Sequence, residues 1–151
     1  MKLTNTFRSV TLIILMFSTF VSCNKEESKN TVNNVSDTVK EGTWRISYFY
    51  HSGKTETEKY VGYNFVFGGN GILTASKETN TYNGQWLVNE STSDDDLFST
   101  IFKISMSPTD IFSDLNEDWK VIENADSTLK LKDDSHGDTA IDYLTFQKIE
   151  Q

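Results

Sequence analysis

From residue 42 onward apolar and polar positions alternate with a period of two, which predicts β-strands. Trp44, Ile46, Tyr48 and Tyr50 share one face of the first run, Tyr63, Phe65 and Phe67 one face of the second, and Tyr82, Gly84, Trp86 and Val88 one face of the fourth. Eight runs are readable, approximately 43–51, 60–67, 71–77, 82–89, 98–106, 118–124, 128–133 and 139–149, divided by clusters of Gly, Asn, Asp and Ser. Eight sequential strands predict an all-β fold, an eight-stranded antiparallel up-and-down β-barrel. Gly68-Gly69-Asn70-Gly71 contains the Asn-Gly pair preferred in two-residue type I′ hairpins. A phosphate-cradling reading of the same glycines fails, because no Lys-Ser/Thr and no helix follow. The stretch Ser107 to Leu115 is too long for a hairpin turn and puts Ile111, Phe112 and Leu115 at helical spacing. A short helical turn near 109–116 is therefore expected, capping one barrel end.

The first residues follow a different rule. Lys2 and Arg8 flank a polar start, and Val10 to Val21 is an apolar run ending at Ser22-Cys23. Such a run reads as a secretory signal and is too short for the ~20 residues of a membrane-spanning helix. Phe20-Val21-Ser22-Cys23 resembles a bacterial lipobox, with Phe20 where Leu is usual. That resemblance implies that Cys23 is acylated and becomes the new N-terminus, held in the membrane by its acyl chains (palmitate among them). Asn24 in place of Asp then favours the outer membrane, and Lys25-Glu26-Glu27 resembles a short surface-export signal. With its one Cys consumed, the chain has no thiol for a disulfide, a zinc-thiolate site or a cysteine nucleophile.

Residues 24–41 lack aromatics and are dominated by Asn, Ser, Thr, Lys and acids, the composition of a flexible tether spanning about 20 to 25 Å. Val32, Val35 and Val39 recur at near-helical spacing, so the distal half could instead form a short helix against the domain. The expected organisation is a signal peptide over 1–22, a lipidated Cys and tether over 23–41, and a barrel domain over 42–151.

Charge narrows the partners. The chain carries 14 Lys and Arg against 22 Asp and Glu, a net charge of −8, and loss of Lys2 and Arg8 with the leader deepens this to −10. Nucleic acid is not expected, since phosphate contact needs cations gathered on one face. A monomer is expected, with the membrane reached through the N-terminal lipid.

Gly42-Thr43-Trp44, the single-domain length, the eight-strand meander and the ending Tyr143-Leu144-Thr145-Phe146-Gln147-Lys148 together resemble the calycins. The resemblance is to the lipocalin-like domains of small Gram-negative bacterial lipoproteins. It implies that Gly42 and Trp44 form the structural motif opening the first strand at the closed barrel end. The Arg that stacks on this Trp in animal lipocalins is missing from its place, and Lys148 could supply the cation. Function does not travel with the fold.

The inward-looking set, Tyr48, Tyr50, Phe65, Phe67, Tyr82, Trp86 and Phe102, suits either of two uses. The leading expectation is a pocket for a small apolar or amphipathic ligand or a lipid; the alternative is that these rings fill the barrel and leave the loops to contact protein or glycan. Catalysis is not expected, and no cofactor or metal is implied. His51 ends a strand, and Asp133-Asp134-Ser135-His136-Gly137-Asp138 has the composition of a solvated turn. The acids of Ser91 to Asp96 lack EF-hand spacing, and no Gly-x-Ser-x-Gly elbow occurs.

Overall fold

The period-two stretches fold as strands at the expected places. The structure, a computed structural model, describes residues 25–92, 99–107, 110–135 and 141–150, with side chains from residue 31 onward. The strands are β1 (Trp44–His51), β2 (Lys54–Thr55), β3 (Asn64–Phe67), β4 (Ile72–Lys77), β5 (Asn80–Glu90), β6 (Thr100–Met106), β7 (Asp118–Ala125), β8 (Thr128–Asp133) and β9 (Asp142–Lys148). All neighbours are antiparallel and β9 returns to pair with β1, closing the meander into an eight-stranded barrel. The ninth strand, β2, is a two-residue flap on β1. It follows a tight turn whose Ser52 and Gly53 both take positive φ, 51° and 83°.

Three local departures have physical causes. The second expected run begins later, at Asn64, because Gly62 at φ +84° turns the chain and Thr57–Tyr60 is a 3-10 turn. The glycine-rich hairpin is a three-residue loop: Gly68 N–H donates to Ile72 O (2.8 Å), Gly71 N–H to Gly68 O (3.0 Å), and only Gly71 has positive φ. That is a type I turn with a glycine bulge in place of the expected type I′ turn. The third departure is a β-bulge in β1, where the register with β9 slips between Ile46 and Tyr48.

Two seams in the barrel are sealed from outside the ladders. β1 and β3 share one register pair, Trp44 with Phe65, and the 3-10 turn fills the gap. Phe49 N–H donates to Thr57 Oγ1 (2.9 Å) and Glu56 N–H to Phe49 O (2.8 Å). β6 pairs with β7 only over Ile101 to Lys103, and the side chain of Asn116 continues the ladder. It accepts from Met106 N–H (2.6 Å) and donates to Met106 O (3.1 Å), so main-chain groups that leave the sheet remain satisfied.

The segment expected to be a tether is a helix, α1 (Lys25–Lys40), lying across the barrel end where β1 begins. Val35 and Val39 are fully buried and Val32 packs against the core. Three valines suffice because α1 needs only one apolar stripe, and the barrel end supplies its partner surface. The polar composition that suggested a coil is that of the helix's solvent faces. Opposite it, the 3-10 turn Ser113–Leu115 covers the other end with buried Phe112 and Leu115, as the helical spacing predicted.

Each of the chain's three tryptophans ties a connection to the wall. Trp44 Nε1–H donates to Val39 O of α1 (2.9 Å), Trp86 to Gly68 O of the β3–β4 turn (3.0 Å), and Trp119 to Leu115 O (3.1 Å). Gly42 explains its place before Trp44: its φ is +85°, and the stem of Lys148 lies 3.5 Å from where a Cβ would stand.

Candidate functional site

The bulge in β1 decides which aromatics face inward. Past it, Ser47 and Tyr48 both point outward and Phe49 takes the interior position, so Tyr48 and Tyr50 do not line the barrel. Tyr48 is 41% exposed, and Tyr50 lies beside Tyr143 on the outer wall, ring centroids 6.5 Å apart. The interior reads Trp44, Ile46, Phe49, with His51 stacked on Phe49 at 5.6 Å.

The other candidates do face inward. Phe65, Phe67, Phe102 and Trp86 are buried, and Tyr82 packs half-buried against the core. Phe67 meets Trp86, Phe102 and Phe146 edge to face at 5.6, 5.5 and 5.4 Å, and Phe65 meets Phe146 at 5.5 Å. Such pairs are each worth about 0.5–1.5 kcal/mol beyond their buried area. At this level the rings touch one another across the barrel.

Both ends are covered by further apolar side chains. Val35 and Val39 close the α1 end. At the other, Phe112 stands 5.1 Å from Tyr63, 5.3 Å from Tyr82 and 6.3 Å from Tyr60, and Tyr60 Oη–H donates to Ile111 O (3.1 Å). Burial, then Asp114 and Glu56, push the Tyr60 hydroxyl far above its ordinary pKa, and burial beside Tyr82 raises Tyr63 as well.

An ion network latches the two halves of this cover. Lys59 bonds both Glu56 and Asp114, the latter at 2.8 Å, and Lys54 reaches Glu56 at 2.6 Å. The ammonium groups of Lys54 and Lys59 hold Glu56 below the usual carboxylate range. Burial pushes Asp114 upward, but the bonds from Lys59 and Ser113 and the positive charge around it together hold it below its ordinary value, and Asp114 and Glu56 in turn raise Lys59. Beside this network His51 Nδ1 lies 2.8 Å from Asp142 Oδ2, while Asp142 Oδ1 accepts from Ser52 N–H (2.9 Å). The buried carboxylate thus clasps the β1–β2 turn to β9. His136, Gly137 and Asp138 lie outside the described residues, as do Ser93 to Asp96. Among the described residues no group of three His, Cys, Asp or Glu side chains could hold a metal.

Among the described residues, recesses lie on the outer wall and beside the C-terminal end of α1, where Asn34, Asp37, Glu41, Asp126 and Lys148 border one of about 370 Å³. Two open clefts of about 600 and 370 Å³ adjoin along β4, β5 and β6, sharing Gln85 and Ser105. Exposed Ile72 and Leu87 border them. The sequence missed the part played by Tyr60 and Tyr63 at the covered end, although the length of the β6–β7 connection pointed to its closure.

Among solved structures, the chain is similar to the crystal structure of a DUF4847 family protein from Bacteroides vulgatus. The two are 18% identical with a TM-score of 0.50, the match covering 78% of this chain and 99% of that one. At that identity the likeness shows the fold, a β-barrel. No protein-family model and no curated protein matches the sequence.

Proposed function

We propose that the chain is a lipid-anchored, extracytoplasmic interaction module whose filled barrel serves as a rigid scaffold and whose outer surface meets a partner protein or glycan. The observation that carries this reading is the contact of Phe65, Phe67, Phe102 and Phe146 across the barrel, between one end closed by α1 and another closed by Tyr60, Phe112 and Leu115. Among the described residues these rings stand in contact within the volume in which a lipocalin-like barrel would receive a small molecule, which supports a filled interior. The reading gives His51 and Asp142 a structural task and requires no cofactor.

The membrane part of the reading rests on Phe20-Val21-Ser22-Cys23 and on Asn24, which favour an acylated Cys23 in the outer membrane. Among the described residues no helix is long and apolar enough to cross a bilayer. Native mass spectrometry of the full chain from its own host tests the scaffold: the expected spectrum carries the acylated protein mass alone, and a co-purifying small molecule would return binding to the interior. Cys23→Ser tests the anchor, with the variant expected in the soluble fraction.

A further inference from the structure

The outer face of β9, β1 and β8 differs from the rest of the wall. Across β1, β9, β8 and β7, successive register partners form rows: Tyr50, Tyr143, Lys132 and Lys120, then Tyr48, Thr145, Lys130 and Glu123, then Arg45, Gln147 and Thr128. The rings of Tyr50 and Tyr143 are tilted by 53° and Tyr48 stands beside them. None of the three hydroxyls has a hydrogen-bond partner among the described residues.

Charge separates this face from its surroundings. Outward positions of β3 to β6 carry one charged side chain, Lys103, whereas this face gathers Arg45, Lys120, Lys130 and Lys132. Lys130 pairs with Glu123 (2.6 Å); Lys132 (2.8 Å) and Lys120 (3.4 Å) share Asp134. Arg45 has no ion pair among the described residues. Among the described residues, and with the paired Asp118 of β7 and Lys103 of β6 included, five cations against three acids leave the face positive by two, on a chain whose net charge is −8.

The face also lies away from the part of the wall against which α1 chiefly packs. In the strand order β9 and β1 stand across the barrel from β5, against which α1 chiefly packs before it ends at β1.

We propose that this face binds an acidic polysaccharide, a deepening that rests on the interaction-module reading above. Extended peptides are captured at sheet edges or in apolar grooves, and here β9 is paired on both sides, with β8 and with β1, so this face offers no free edge. Tyrosine rings offer a rigid apolar plane with a polar tip, matching the apolar face and hydroxyl rim of a pyranose. Arg45, Lys130 and Lys132 meet spaced carboxylates, while an excess of two cations is too small for the denser charge of a phosphate backbone.

The test measures binding of the full chain in detergent to polygalacturonate, with dextran and poly-L-glutamate alongside. Polygalacturonate should bind at least about tenfold more tightly than either, and the pair Tyr50→Ala and Tyr143→Ala should weaken it by about tenfold or more. Lys130→Glu, whose folding does not depend on the aromatic pair, should weaken it too and lessen its salt dependence. Equal binding of poly-L-glutamate, equal binding of dextran, no binding of polygalacturonate, or binding indifferent to these changes would each overturn the proposal. A clean native mass spectrum with no polysaccharide binding would reject this face and keep the interaction module; a retained small molecule would reject the module itself.

Discussion

Lys148 Nζ stands 5.2 Å from the centre of the Trp44 ring, and its stem runs over Gly42. The first and last long strands of the barrel are thereby joined by a cation over an aromatic face, in addition to their ladder. Lys148→Met keeps the apolar stem and removes the charge, and should cost about 0.5–1 kcal/mol in urea unfolding. Gly42→Ala should cost at least as much, because it strains the backbone under the same stem.

Opposite outcomes are expected at adjacent positions of β1. Phe49→Ser should destabilise by about 3–5 kcal/mol, and Tyr48→Ser should stay within about 0.5 kcal/mol. Strict alternation along the strand ranks the two the other way, so chemical denaturation of this pair checks the bulge.

Gly84 allows β6 to come close to β5. A Cβ there would lie 2.5 Å from Ser105 O and 2.7 Å from Met106 Cα, both main-chain atoms without room to move. Gly84→Ala should therefore lower stability by about 3 kcal/mol and reduce the thermal midpoint by several degrees.

The helix offers a direct contrast with a tether. Val35→Ala deletes two buried methyl groups and should cost about 1–2 kcal/mol. A solvated coil would register no change. Removing residues 24–40 should also shift Trp44 fluorescence to the red, since its indole loses the Val39 carbonyl and its cover.

The latch at the covered end sets a pH dependence. Glu56 and Asp114 are held below their ordinary values, so their contribution is present above the unfolded pKa values near 4 and lost as pH falls through the folded ones. Lys59 is raised, so its contribution is complete below about 10.4 and lost only as pH climbs through its folded value. Lys59→Met should flatten the loss of thermal stability between about pH 5 and 3, where the unaltered protein should fall more steeply.

Most strands were legible in the sequence because burial on one face of a closed sheet forces alternation. The bulge was not, since Trp44, Ile46, Tyr48 and Tyr50 alternate more strongly than the true inward series ending in Phe49 and His51. One chemical sign was present: two tyrosine hydroxyls turned into a ring-filled interior would have needed partners that the interior aromatics cannot supply. The helix was legible only in its distal half, where Val32, Val35 and Val39 mark the packed stripe; the polar residues around them, chosen for water, suggested a tether instead. Whether the aromatic set formed a pocket or a plug could not be decided from residue types, because contact between Phe67 and Phe146 depends on how the strands curl and what closes their ends.

The helical form of residues 25–40 alters what an anchor at Cys23 would communicate to the domain. A coil sets only a radius within which the barrel wanders, whereas a helix of 16 residues is a rod of about 24 Å. Seated by Val35, Val39 and the Trp44 indole, the rod cannot swivel independently of the wall it crosses. Lipid attachment would then hold the barrel on a stiff arm, so that any turn of the arm turns the whole barrel with it.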